Sequence, residues 1–231
     1  MSRAGADRWA EAAAALPTAE RAARERPFWQ ALIGAWGWRR VADAGCGAGF
    51  HLELLRGLGL NATGFDLAVA ALPRGGTAAA GDLLSPPLRP GMFDAALCLG
   101  NTLSLLAGRS AQRRALAALA SLARPGGVVL LQGEDAGALV RVGPVVRVRR
   151  VEGGGVHVRV FEKRGRRVRM LAGIATGSQA TLAEAWLVPT SADDVVRTAR
   201  QLGLRRVDVP TQPPGEGVGW WIAFSARADG P

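Results

Sequence analysis

A chain of 231 residues, 48% hydrophobic and 21% charged, suits a soluble globular protein with one large core or a core carrying a modest insertion. Its net charge of +10 admits nucleic acid or acidic ligands, yet Lys163 is the only lysine among 29 basic residues, so a compositional preference for Arg, Ala and Gly accounts for the charge without a functional cause. No apolar run reaches the roughly 20 residues that span a bilayer, the Ala-rich start carries acids and reads as no signal peptide, and Cys46 and Cys98 have no metal-ligand spacing, which together suggest a reduced, cytoplasmic protein with no metal and no membrane contact.

Residues 6–15 and 18–37 read as helices, the second starting at Thr18 and placing Phe28, Trp29, Leu32, Ile33 and Trp36 on one face. Strands are predicted at 40–44, 62–65 (ending at Asp66), 77–80 (weak, ending at Asp82), 92–99 and 128–131. A Gly-rich turn at 45–49 opens a helix over 50–58, closed by Gly59. A short helix is expected at 68–72, and 85–91 (SPPLRPG) is a loop. An amphipathic helix over 112–123 is stopped by Arg124-Pro-Gly-Gly. Strand–helix alternation of this kind predicts a parallel sheet wrapped by helices.

After about residue 138 the pattern changes. VVRVRRV, VHVRVFE and RVRMLAGIA alternate apolar and basic residues at period two, separated by Gly-containing turns. That predicts an antiparallel meander with one wet face. A further strand covers TLAEAWLVP, Ser191 caps a helix running to Leu202, and 206–209 with 220–225 form a last strand pair.

VADAGCGAGF (41–50) follows a strand and opens a helix. A dinucleotide fingerprint would need Gly where Phe50 stands. Here the glycines alternate, and Asp43 precedes the first by two positions. With GFD (64–66), GDL (81–83), FDAALCLGN (93–101) and ARPGGVVLL (123–131) in this order, the chain resembles class I S-adenosylmethionine-dependent methyltransferases. Its closest motif likeness is to small-molecule enzymes of the glycine/sarcosine N-methyltransferase type. The resemblance covers about residues 20–135. It implies a Rossmann-like, mostly parallel seven-stranded α/β sheet with N-terminal helices and a small antiparallel insertion after the fifth strand. The expected divisions are a helical cap at 1–37, a cofactor-binding domain at 38–138 and 184–228, and an insertion at 139–183 that serves as lid or dimer surface.

The resemblance also implies the site. S-adenosyl-L-methionine would lie along Gly45, Cys46, Gly47 and Gly49. Asp66 would accept from the ribose hydroxyls, beside Leu67, since an ionised carboxylate is an acceptor with two oxygens. Asp82 would take the adenine amino group and Leu83 would offer its backbone N–H to the ring. Asp43 would help hold the methionine ammonium. From the N-terminal helix an arginine, Arg24 or Arg21, would meet the cofactor carboxylate and an aromatic, Trp29 or Phe28, the sulfonium. Gly100 would face the methionine end. Asn101 would orient the acceptor, and Glu134 (or Asp135) would hold an ammonium or accept a proton.

The glycine/sarcosine run of Gly-Asn-Ser-aromatic-x-His is only partly present. Thr102 replaces Ser, Leu103 the aromatic and Leu105 the His, so glycine itself is not implied as substrate. The predicted activity is methyl transfer to nitrogen or oxygen of a small molecule. Two alternatives stay open: an RNA methyltransferase using the Arg-rich meander, though Phe161 is its only aromatic, and a non-catalytic cofactor-binding module. A homodimer also stays open.

Overall fold

The computed structural model describes residues 18–151, 154–214 and 219–226. The helix expected at 6–15, and most of the cap expected at 1–37, lie outside these residues. Helix α1 (Thr18–Trp36) buries Phe28, Trp29 and Leu32, with Pro27 inside it. Strand β1 (Arg40–Ala44) leads through the Gly-rich turn into α2 (Phe50–Arg56). Next come β2 (Asn61–Asp66), a 3-10 turn at Val69–Ala71, β3 (Ala78–Ala80) and β4 (Phe93–Cys98). A second 3-10 turn, Thr102–Leu105, precedes α3 (Arg109–Leu122) and β5 (Ala123–Glu134).

The order in the large sheet is β10-β11-β5-β4-β1-β2-β3, where β10 is Arg205–Val207 and β11 is Gly219–Ser225. All neighbours from β3 to β5 are parallel, and only β11 runs against its neighbours. Parallel strands buried on both faces need continuous apolar sequence, and β4 supplies it, with Ala95 to Cys98 fully buried. Two cores follow, one on each face. Leu116, Leu119, Phe65 and Phe224 centre the first; Trp29, Leu32, Leu52 and Leu55 centre the second.

At the end of the sheet where β1 and β4 begin, Asp94 is a clip. Its carboxylate accepts from the backbone N–H groups of Arg39 and Arg40 and from Nε of Arg124, at 2.7–2.8 Å. These bonds outweigh the opposing effect of burial and hold its pKa below the ordinary carboxylate value. Arg124-Pro-Gly-Gly is therefore more than the helix stop expected from sequence: it is the lead-in to β5, pairing Ala123 with Phe93 across an irregular register.

Beyond β5, Asp135 caps the short α4 (Ala136–Leu139), accepting from the N–H groups of Gly137 and Ala138. A separate antiparallel sheet follows in the order β6 (Val145–Val151), β7 (Gly155–Arg164), β8 (Arg167–Thr176), β9 (Gln179–Leu187). The last strand of this sheet runs to Leu187, so the boundary expected at 183/184 falls inside it. The period-two alternation is present: β8 buries Val168 and Met170 and leaves Arg167 exposed, while β6 does the reverse. Val146, Val148, Leu182 and Trp186 are exposed, while Arg147 and Arg159 turn towards the large domain with Phe161 and Met170. Helix α5 (Ala192–Gln201) has a full capping box between Ser191 and Asp194 and packs on β10 and β11.

Candidate active site

Ligands of open α/β sheets bind beyond the strand carboxyl ends, where the strand order reverses. Here that place lies between β1 and β4, and a cavity of about 1220 Å³ opens there. Its floor is the Gly-rich turn and the ends of β2, β4 and β5; α1 closes one side and the small sheet another.

The turn is shaped by its glycines. Gly45 has φ +81°, and a Cβ there would lie 2.6 Å from the Thr102 methyl, so only glycine fits. The N–H of Gly47 donates to Asp66 Oδ2 and that of Ala68 to Oδ1, both at 2.8 Å. Asp66 thus ties the turn to the end of β2. Each oxygen keeps lone-pair capacity for a ligand hydroxyl. Asp82 accepts from the N–H of Leu84. Gly45, Cys46, Gly47, Asp66, Leu67, Asp82, Leu83, Gly100, Asn101, Glu134 and Arg24 all line the cavity.

Four expected ligand-facing residues do not line it. Gly49 is buried against the Pro73 ring. Trp29 and Phe28 are both buried; the Trp29 indole N–H donates to Glu25 and its ring packs edge-on against Phe28, His51 and Trp221. Helix α1 needs both side chains for its core contact. The aromatic residues that line it are instead Phe50, Phe65, Trp221 and Phe161. Asp43 is buried at 1% exposure, and its Oδ2 has no hydrogen-bond partner. Burial raises its pKa from 3.8 to about 6, against the pull of His51 and Arg21 and with Asp66 adding to the rise.

A polar chain runs behind the turn. Arg21 Nε donates to Glu25 at 2.6 Å, and His51 Nε2 lies 3.2 Å from both Glu25 and Arg21. The Arg21 guanidinium also stacks on Phe50, 4.0 Å from the ring centre. Burial opposes ionisation of Glu25, but His51 and Arg21 together pull it down to about 2. Of the two α1 arginines expected near the cofactor carboxylate, both line the cavity, and Arg21 is the one this network fixes. Cys98 is an inert core thiol, pushed up to about 12 by burial.

On the acceptor side, Asn101 has φ +67°, the one left-handed non-glycine among the described residues. Its Oδ1 accepts from the Ser104 hydroxyl at 2.8 Å and from the Glu134 N–H at 3.2 Å. A backbone N–H can only donate, so the amide orientation is fixed, with Nδ2 as its other end. Gly100, at φ +67°, has open space where a Cβ would go, and its N–H donates to Gln132 Oε1 at 2.7 Å. Gln132 is the residue whose clamping role the sequence did not disclose. Glu134 is held by Arg147 in a two-pronged ion pair at 2.6 and 3.1 Å. It is therefore not the free base that sequence suggested, and Asp135 is occupied as a helix cap.

Residues 42–131 match the family described as a methyltransferase domain. No curated protein matches the sequence. Among solved structures, the CcbJ methyltransferase from Streptomyces caelestis is similar (19% identity, TM-score 0.70, covering 92% of this chain and 91% of that one). So is an S-adenosylmethionine-dependent methyltransferase from Clostridium acetobutylicum ATCC 824 (15%, 0.69, 90% and 92%). The sugar N-methyltransferase KedS8 from Streptoalloteichus sp ATCC 53650 is a third (21%, 0.67, 89% and 88%). These likenesses establish the fold. Residues 42–131 thus match a methyltransferase domain, and the strand order around them is that of the class I methyltransferase fold.

Proposed function

We propose that this chain transfers a methyl group from S-adenosyl-L-methionine to a nitrogen or oxygen of a small molecule. The observation that carries this reading is one cavity with two unlike walls: the Gly-rich turn with Asp66 and Asp82 on one side, Asn101 and the small sheet on the other. The residues fit the cofactor. Gly45 and Gly47 carry no side chain to obstruct it, Asp66 and Asp82 offer oxygens suited to hydroxyl and amino groups, and the acids favour a cationic donor. When bound, the cofactor supplies an activated methyl carbon.

The protein's share of the work is alignment and exclusion of water. Phe50, Trp221 and Phe161 wall the cavity with apolar surface. The Arg21–Glu25–His51 chain fixes α1 over the Gly-rich turn. Asn101 presents a donor, since its oxygen is engaged, and so suits an oxygen carried by the acceptor. Glu134 is neutralised by Arg147, and among the described residues that line the cavity the acceptor side offers no other carboxylate or imidazole. A site without a free base suits an amine that arrives uncharged, so nitrogen is the favoured acceptor atom. KedS8, a sugar N-methyltransferase, and CalS10 from Micromonospora echinaspora, an amino pentose methyltransferase, share this fold, which fits the same choice. The Gly100-Asn101 run supports a likeness to glycine/sarcosine-type enzymes only at that point.

S-Adenosylhomocysteine should raise the melting temperature of the wild-type protein. Asp66→Ala should weaken that binding at least tenfold, because it removes the ribose acceptor and unties Gly47 together. Absence of any shift with the wild type would sink the reading. A labelled-methyl screen of amines then identifies the acceptor.

A further inference from the structure

The inner face of the small sheet carries a charge arrangement that methyl transfer alone does not require. Arg147 on β6 stands directly opposite Arg159 on β7, and Arg149 opposite His157. Arg147, Arg149 and Arg159 all line the cavity. Like charges facing each other across a strand pair destabilise a sheet. On this wall Glu134 is the only carboxylate among the described residues, and it is held by Arg147. Arg149 and Arg159 have no ion-pair partner among the described residues, and Arg159 Nε is buried with no hydrogen-bond partner. Elsewhere on the same sheet Arg164 is matched with Glu162, and Arg169 with Glu184. Arg167, away from the cavity, is also unpaired among the described residues but lies exposed to solvent, whereas Arg159 Nε is unpaired and buried. The acids on the other wall, Asp66 and Asp82, are those the donor uses.

Guanidinium forks match the oxygens of phosphates and carboxylates, and buried ones left unpaired are costly. We propose that Arg149 and Arg159, aligned by the Arg147–Glu134 pair, form a subsite for an oxyanion carried by the methyl acceptor. The acceptor is then a small amine tethered to a phosphate or carboxylate group. This rests on the methyltransferase reading above. Arg159 supports it further: burial and neighbouring Arg149 lower its pKa against the opposing pull of Glu134, and an anion placed there would act in the same direction as Glu134. The outer face of the sheet interleaves exposed Val146, Val148, Leu182 and Trp186 with Arg150, Arg164 and Arg167, and is the surface a nucleic acid backbone would meet, whereas Arg149 and Arg159 line the cavity.

The test uses the full chain saturated with S-adenosylhomocysteine, at constant ionic strength. Inorganic pyrophosphate and citrate are titrated while the melting temperature is followed, with single-stranded RNA as a separate arm. One or both small anions should stabilise the wild type, and whichever does distinguishes phosphate from carboxylate. Arg149→Gln, at an exposed position, and Arg159→Lys should each weaken that effect at least tenfold and leave the S-adenosylhomocysteine shift intact. An S-adenosylhomocysteine shift with no small-anion shift overturns the subsite alone. Undiminished anion binding in both variants, or tight RNA binding with no small-anion effect, overturns it as well. Anion stabilisation that the variants lose, with no S-adenosylhomocysteine shift in the wild type, supports the subsite and removes the donor reading instead.

Discussion

Asn101 combines a left-handed backbone with an amide whose oxygen bridges Ser104 and the N–H of Glu134. Asparagine tolerates that conformation better than most residues, so one side chain both permits the turn and ties β4's end to β5. Asn101→Asp keeps the bridging oxygen and removes the donor. The protein should fold, with its S-adenosylhomocysteine shift retained, while methyl transfer falls at least tenfold; unchanged turnover would deny Asn101 a role at the acceptor. At this scale the sequence disclosed residue types better than their partners. A polar residue at the end of a buried strand was legible, because it breaks an apolar run. That its oxygen belongs to β5 was not, since the two segments are 33 residues apart. Trp29 shows the converse. Its place on α1 next to the cofactor turn was right, but a helix face that needs a core claims its aromatics first, and Trp221 on a distant strand faces the cavity.

Among the elements, the parallel strands and their order-setting loops were legible because burial on both faces leaves an unmistakable apolar run. The small sheet was legible in period but, on β6, not in facing. Alternation fixes which residues share a side, and only the tertiary partner decides which side is covered. Glu134 and the cavity draw Arg147 inward, leaving Val146 and Val148 outside. The junction of β5 and β11 has a constraint that no local pattern reveals. A Cβ on Gly133 would lie 2.4 Å from the Trp220 indole, whose N–H donates to Thr190. Gly133→Ala should therefore destabilise the fold by about 1–3 kcal/mol through overpacking. Urea unfolding would measure this, and a loss near zero would mean that the indole is free to move.

For the whole molecule, two buried carboxylates oppose each other in their response to pH. Glu25 is held down to about 2, so its contribution is present above its ordinary 4.5 and lost as pH falls from there towards 2. Asp43 is raised to about 6, so its contribution is full below 3.8 and lost as pH rises through 6. A rise of that size corresponds to about 3 kcal/mol. Ligand-free protein should be most stable between these limbs, near pH 4 to 5. Asp43→Asn should flatten the upper limb and raise the melting temperature at pH 8, as thermal unfolding across pH would report. An upper limb that survives the substitution would place the ionisation elsewhere.

The small sheet packs around its own cluster of Phe161, Val168, Met170 and Leu187 with α4, separate from the two cores that flank the large sheet. Asp94 secures the strands at the far end, away from the cavity. Mutations that re-tailor β6 and β7 thus fall on a part of the chain whose packing the donor wall does not share. Such a division lets inheritance experiment with what is methylated while the machinery that delivers the methyl group is left undisturbed.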